Sequence, residues 1–246
     1  MKAMIFAAGL GKRLQPETDY KPKALVEVCG KPMLGHVIDR LKDAGVDFLV
    51  INVHHFANQI IDYLNANNSF GLEIHISDES EQLLDTGGGI VKAARLLADS
   101  APVIVHNSDI LTDLDLACFY KHHLSDGSDI TLFVDSNRNS SRGLLFDDKL
   151  KMHGWINTEA KYCRPDNLSP ELYKRYSFNG IHVLSQNAIR DIASYIDGGA
   201  AFSITDYYID SCERLCIKGY QKPDDIQWFD IGSPEKLKVA RNKYRL

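Results

Sequence analysis

The sequence predicts an α/β fold: a mostly parallel central sheet with helices on both faces, and a β-rich insertion in the C-terminal half. Three observations carry that reading. Apolar strand-like runs alternate with helical segments as far as residue 125, the pattern of βα units and a parallel sheet. The first run, Ala3–Ala8, shows no polar alternation, as a strand buried on both faces requires. Beyond residue 125 strand-like runs follow one another, one pair of them flanking a hairpin-like turn.

The elements follow in order. A loop rich in Gly, Pro and Lys runs from Gly9 to about Pro32. Met33, Leu34, Val37, Ile38 and Leu41 then recur at helical spacing, and Gly45 ends that helix. Phe48–Val53 reads as a second strand, and Ile60, Ile61 and Leu64 mark a second helix. Leu72, Ile74 and Ile76 alternate with polar residues as a third strand. Gly87-Gly88-Gly89 opens a helix carrying Ile90, Val91, Ala94 and Leu97, because glycines inside a helix cost about 1 kcal/mol each. Val103–His106 is a central strand ending in Asn107-Ser108-Asp109. In the second half Ile130–Val134 is a strand, and Gly143–Phe146 and Leu150–His153 flank Asp147-Asp148-Lys149 as a hairpin. Residues 157–176 are polar with no dominant period. Ile181–Leu184 is a strand; Ile189, Ile192 and Ile196 suggest one helix, and Ile204, Tyr208 and Leu215 another. Trp228–Ile231 is the last strand, and Ser233 caps a final helix with Pro234 at its first position. No repeat or low-complexity linker divides the chain, so residues 1–246 read as one domain with halves 1–125 and 126–246.

Composition narrows the function classes. The chain has 246 residues, 28 Lys+Arg and 33 Asp+Glu, for a net charge of −5. That balance argues against a nucleic-acid surface. No apolar run approaches the roughly 18 residues that span a bilayer, and the short apolar start runs straight into a charged loop, unlike a signal peptide. Five cysteines without a CxxC pair fit reduced thiols in a cytoplasm.

Three motifs could carry chemistry. In Gly9-Leu10-Gly11-Lys12-Arg13-Leu14, Leu14 stands where a dinucleotide fingerprint needs its third glycine, which disfavours an NAD-dependent oxidoreductase. Gly30-Lys31 is followed by Pro32, so it is no Walker loop. What remains is a glycine turn among Lys12, Arg13, Lys21, Lys23 and Lys31, suited to a polyphosphate. Asp109 and Asp230 each lie near a strand end, and together they would form a hard oxygen site suited to Mg²⁺. The glycines after Asp85-Thr86 would let backbone approach a ligand and leave helix N–H groups free. The pairs His54-His55 and His122-His123 diverge, Cys212 and Cys216 lack further zinc ligands, and no GxSxG elbow is present.

The segments Ala7–Thr18, Pro22-Lys23-Ala24-Leu25-Val26 and Gly30-Lys31-Pro32-Met33 resemble, in order, the GxGxRxxPxT…PKPL…GKPM signature of sugar-1-phosphate nucleotidylyltransferases. Asn107-Ser108-Asp109 stands where that family carries Gly-Asp, and Trp228–Ser233 resembles its W-x-D-x-G-T/S element. The resemblance implies a Rossmann-like three-layer fold and an enzyme that joins a nucleoside triphosphate to a sugar 1-phosphate, releasing pyrophosphate. It implies roles as well. Arg13 holds the leaving pyrophosphate and Lys23 neutralises the reacting phosphates, as catalytic residues. Ala8, Gly9, Gly11, Gln82, Gly87 and Gly88 bind the nucleotide, and Asp109 and Asp230 hold Mg²⁺. Arg142, Gly143, Asn179 and Gly180 meet the sugar.

Asp85–Ile90 and Arg142-Gly143 are similar to the branch of the family that uses UTP and N-acetylmuramate 1-phosphate, in nucleotide-sugar biosynthesis for the cell wall. A lactyl carboxylate would need a cation, and Arg142, Lys161, Arg164 and Lys174 lie in the divergent part. Two departures stand out: Ser108 replaces a glycine, and the Glu-Lys-Pro segment of many hexose-specific members is absent from residues 151–176. The alternatives are a guanylyltransferase acting on mannose or heptose 1-phosphate, and a non-catalytic nucleotide-sugar sensor on the same fold.

Overall fold

Strand β1 (Lys2–Phe6) lies near the middle of the main sheet and shows why its run is unbroken. Ala3 and Ile5 enter the core on one sheet face, Met4 and Phe6 the core on the other. The computed structural model describes residues 1–138, 140–196 and 200–244. After β1 the chain forms a short hairpin, β2 (Glu27–Val28) and β3 (Lys31–Pro32). Helix α1 (Met33–Asp43) follows, burying Leu34, Val37, Ile38 and Leu41, and the chain leaves it at Gly45 with φ +91°. Next come β4 (Phe48–Val53), α2 (Ala57–Ala66), β5 (Glu73–Asp78), α3 (Asp85–Leu97) and β6 (Val103–Asn107). The strands lie in the order β5-β4-β1-β6, all parallel. The order therefore reverses between β1 and β6, where a ligand crevice opens at the carboxyl ends of an open α/β sheet.

The second half completes the sheet. It contains β7 (Ile110–Thr112), α4 (Leu116–Asp126), β8 (Ile130–Asp135), β9 (Arg142–Phe146), β10 (Met152–Asn157) and β11 (Tyr162–Arg164). Then follow β12 (Lys174–Leu184), α5 (Gln186–Ala193), α6 (Ile204–Ser211), β13 (Ile217–Gln221), β14 (Trp228–Asp230) and α7 (Pro234–Lys243). β12 joins the halves: it runs antiparallel to β6, and also pairs with β8 and β9. The β-rich insertion thus extends the parallel sheet rather than standing apart from it. Helices α3, α5 and α6 pack on one face, and α1, α2 and α4 on the other.

Several boundaries differ from the sequence reading. α5 stops at Ala193, so Ile196 lies outside it, and α6 stops at Ser211, before Leu215. The hairpin turn is longer than three residues, since Phe146 pairs with Met152; Asp147 stabilises it by accepting from the N–H groups of Lys149 and Lys151, each at 2.9 Å. β12 begins at Lys174 rather than Ile181, and β11 lies within the polar stretch 157–176. Trp228–Asp230 is a strand, but it pairs with β7 in a separate two-stranded sheet. Ser233 caps α7 as predicted, accepting from the Lys236 N–H with Pro234 in the first turn. All five cysteines are unpaired. Among the described residues no helix is long and apolar enough to cross a membrane.

Candidate active site

A cleft of about 520 Å³ opens at the reversal point between β1 and β6. Its walls are Phe6–Leu10 at the end of β1, Asn107–Asp109 at the end of β6, Asn52 on β4, and Leu83, Asp85, Thr86 and Ala201. A second hollow of about 320 Å³ adjoins it, bordered by Gly9–Arg13, Lys23 and Gly232; Gly9, Leu10 and Lys23 face both. The turn between them depends on Gly11, whose φ is +65°. A side chain there would also press within 2.9 Å of the Thr18 methyl group, while the Thr18 hydroxyl donates to the Gly11 carbonyl at 2.9 Å. A third apolar cluster fixes this loop, with Leu14, Val26, Val28 and Met33 packed on Leu111, Ile231 and Leu237.

The two aspartates are far apart in sequence and adjacent in space. β14 pairs antiparallel with β7 so that Asp230 faces Ile110, and the Ile231 N–H donates to the Asp109 carbonyl at 3.1 Å. Lys23 donates to the Asp109 carboxylate and Lys236 to that of Asp230. Asp230 also accepts from the Gly232 N–H at 2.5 Å. Burial would raise the Asp230 pKa, but Lys236, the Gly232 N–H and nearby Lys23 outweigh it and hold the carboxyl below its ordinary value. Both carboxylates are therefore matched to positive charge. Asp109 lines the cleft, and Asp230 lines neither hollow but lies beside Gly232 at the border of the second. As a donor set, two carboxylates there suit a hard divalent cation that would take its remaining oxygens from ligand and water.

The glycines of α3 behave differently from the sequence reading. The Gly87 N–H is not open: it donates to the Phe202 carbonyl at 2.9 Å, and the Phe202 ring covers its α-carbon. Gly88 abuts Leu84 and the Ala200 carbonyl, and Gly89 rests against Asn52 and Glu79. All three let the first turn of α3 pack tightly on protein, and the cleft wall beside them is Leu83, Asp85 and Thr86. Gln82 does not line the cleft; its N–H donates to the Glu79 carbonyl at 3.0 Å.

On the second half, Asn179 is fully buried, with its carbonyl accepting from the Trp228 indole N–H at 3.0 Å. Gly180 takes φ +76° so that the Asn107 side chain can lie against it. Both therefore touch residues beside the cleft. Gly143 is covered by the Arg175 side chain, and Arg142 is exposed at the start of β9. Arg164 reaches Asp206 at 2.7 Å and Asp210 at 2.6 Å, and Lys174 pairs with Asp148 at 3.0 Å. Arg164 is held by two carboxylates, whereas the Lys174–Asp148 pair is open to solvent, 67% and 89% exposed.

The sequence reading missed four residues here. Arg138 stacks over the Trp228 ring at 4.1 Å and donates to the Phe178 carbonyl and the Asn179 side chain. Burial lowers its pKa, opposed by Asp230 and Asp135. Lys236 pairs with Asp230, and Asn52 on the cleft wall bonds the buried Glu79 behind it. Only Asn52 left a visible signal, as a polar side chain inside the apolar run Phe48–Val53.

A glycine loop rich in cations, set beside two carboxylates at a strand reversal, is the arrangement of an α/β enzyme that handles phosphates. The chain belongs to the nucleotidyl transferase family, whose profile matches residues 2–245, and to the sugar-1-phosphate nucleotidylyltransferases within it. It is 44% identical over 248 residues to N-acetylmuramate alpha-1-phosphate uridylyltransferase of Neisseria meningitidis, covering 98% of this chain and 97% of that enzyme. A shorter match, 50% identical over 109 residues, covers 44% of this chain and 45% of the enzyme of the same name from Caulobacter vibrioides. Among solved structures, a putative glucose-1-phosphate thymidylyltransferase from Bacillus anthracis shares the fold with a TM-score of 0.82 at 17% identity, covering all of this chain and 97% of that one.

Proposed function

We propose that the protein transfers the uridylyl group of UTP to N-acetylmuramate 1-phosphate in a Mg²⁺-dependent reaction, giving the UDP-sugar and pyrophosphate. The observation that carries the chemistry is the meeting of Lys23 and Asp109 beside the glycine loop at the β1/β6 reversal, with Asp230 held next to them by the β7–β14 pair. The choice of substrates rests on the similarity to the Neisseria enzyme along nearly the whole chain. On this reading the halves 1–125 and 126–246 act as one unit, with the triphosphate in the first and the sugar against the second. The five unpaired cysteines support a cytoplasmic enzyme.

One phosphate oxygen of the sugar phosphate attacks the α-phosphorus in line, and the bond from that phosphorus to the pyrophosphate oxygen breaks. The attacking oxygen is already anionic, so no side chain need remove a proton. The barrier is the approach of two anions, which fixed positive charge lowers. Lys23 faces both hollows and neutralises the reacting phosphates, while Arg13, at the rim of the second hollow, holds the departing pyrophosphate. Ala8, Gly9 and Gly11 bring backbone up to the nucleotide. Asp109 and Asp230 would hold Mg²⁺, which supplies charge neutralisation at the phosphates when bound. Asn179 and Gly180 support the sugar side of the cleft. With Arg164 held by Asp206 and Asp210, Arg142, Lys161 and Lys174 remain as candidates to meet a lactyl carboxylate.

Pyrophosphate release from UTP, GTP and CTP, each offered with N-acetylmuramate, mannose, heptose and glucose 1-phosphates, tests the reading. Fast turnover with UTP and N-acetylmuramate 1-phosphate is the expected result. Faster turnover with GTP and mannose 1-phosphate would overturn the substrates and keep the reaction. Binding without turnover on any pair would instead reveal a nucleotide-sugar sensor.

A further inference from the structure

Behind the cleft wall lies a carboxylate that the reaction itself does not use. Glu79 follows β5, and its N–H extends the β4 ladder by donating to the Val53 carbonyl at 2.7 Å. Its side chain turns inward and is fully buried. One oxygen accepts from the Asn52 side-chain amide at 2.8 Å, and the other from the Leu84 N–H at 3.1 Å. Asn52 in turn accepts from the Ala7 N–H at 2.8 Å. Gly89, the fifth residue of α3, rests directly on this pair: a Cβ there would lie 2.9 Å from the Asn52 amide nitrogen and 3.0 Å from the Glu79 oxygen.

We propose that Glu79 is a positioning residue for the triphosphate, holding the Ala7–Ala8 wall and the Leu83–Asp85 wall of the cleft in register through Asn52 and the Leu84 amide. The proposal rests on the cleft being the nucleotide site. Polarity makes the residue type specific. Backbone N–H groups at Ala7 and Leu84 donate at both ends of the chain of bonds, so Asn52 must turn its oxygen to Ala7 and its NH₂ to Glu79. Glu79 must then accept on both oxygens, which a carboxylate does and an amide of the same shape does not. Burial raises the Glu79 pKa, while its bonds from Asn52 and Leu84 favour the charged form. An ordinary core carboxylate would brace the fold alone; this one ends on two segments that line the cleft.

The test uses the full chain with UTP and N-acetylmuramate 1-phosphate. Glu79→Gln sets an NH₂ against a donor, so it should raise the KM for UTP about tenfold or more, as loss of a charged hydrogen bond does. The KM for the sugar phosphate should stay within about twofold, because Asn179 and Gly180 on that side are held by other bonds. Any fall in kcat should be smaller than the rise in the UTP KM. Amide exchange at Ala7 and Leu84 should accelerate. The pair Asn52→Asp with Glu79→Gln restores every donor–acceptor match and the same net charge: Asp at 52 accepts from Ala7 and from Gln at 79, whose oxygen accepts from Leu84. That double variant should recover most of the UTP KM, whereas Asn52→Asp alone sets two carboxylates face to face and should not. A Glu79→Gln variant with an altered melting temperature but an unchanged UTP KM would show a merely structural role and overturn the inference. So would a double variant no better than its parents, or one that fails to fold when Glu79→Gln also fails. Wild-type protein inactive with every triphosphate would refute the functional reading instead, and unchanged exchange at Ala7 and Leu84 in Glu79→Gln would still refute the role of Glu79.

Discussion

Replacing Lys23 with alanine removes a cation that borders both hollows of the cleft. The Lys23 side chain is only 14% exposed, so solvent screens it weakly. A fixed donor facing charge that builds up in a transition state is worth about 3–4 kcal/mol, which sets the expected loss of kcat at about 10²–10³-fold. Lys31 is the natural control, because it lies in the same lysine-rich loop but pairs with Asp39 at the surface, the two side chains 32% and 45% exposed. Such a pair contributes about 0–1 kcal/mol, so Lys31→Ala should change turnover by less than about fivefold. Steady-state pyrophosphate release under saturating UTP and N-acetylmuramate 1-phosphate measures both variants, with thermal unfolding run in parallel. Lys23→Ala also strips Asp109 of its partner, and some stability change is expected from that alone. Equal losses of kcat in the two variants would refute the assignment of Lys23. So would a Lys23→Ala loss that vanishes once turnover is corrected for the folded fraction.

Asp109→Asn and Asp230→Asn should each keep the fold and lose most turnover, since each removes one of two neighbouring charges facing the phosphates; full activity after exhaustive EDTA treatment would sink the metal assignment. Stability should fall on acidification through three buried histidines. Burial holds His106 and His123 down at about 4 and His182 at about 3, below the ordinary value of 6.5. The unfolded chain therefore takes up protons first, so this stability is complete above pH 6.5 and is lost as pH falls toward the folded values. At pH 5 each histidine accounts for a loss of about 2 kcal/mol. A melting temperature that is flat from pH 7 to pH 5, or an acid slope unchanged in His182→Phe, would contradict this.

What the sequence revealed of the fold follows from where burial is complete. β1, β4 and β6 are covered on both faces, so each is written as an apolar run. Helix α4 escaped notice although Asp115 caps it, accepting from the Cys118 N–H at 2.8 Å, and Gly127 ends it in the left-handed region. Its buried face is Leu116, Phe119, Tyr120 and His123, and a histidine in the last position blurs an apolar stripe. That histidine is core, bonded to Thr131 at 2.8 Å. The first residues of β12, Lys174 and Arg175, are exposed, so the strand looked like loop until its buried part began. In the candidate site, Arg13, Lys23, Asp109 and Asp230 can be proposed from sequence because phosphate chemistry restricts the residue types. The structure brings Lys23 to Asp109 and the strand of Asp230 beside it. Glu79, Arg138 and Lys236 act only through tertiary partners distant in sequence, and no local pattern announces such a partner.

The pairing of β7 with β14 explains how these charges, drawn from opposite ends of the chain, keep one geometry. The strands are three residues each, too short to be stable as an isolated pair. They persist because Leu111 and Ile231 bury into the same cluster as Leu14, Val26, Val28, Met33 and Leu237. That cluster belongs to neither sheet core, and its members come from the glycine loop, the β2–β3 hairpin, both short strands and α7. Leu14 adjoins Arg13, Ile231 adjoins Asp230, and Val26 follows the turn that carries Lys23. Each apolar side chain anchors a charged neighbour. Leu14, the residue that breaks the dinucleotide fingerprint, is fully buried there. The position that another fold gives to a glycine for close helix packing is used here to anchor the cationic loop against the short strand that follows Asp109 and the one that ends at Asp230.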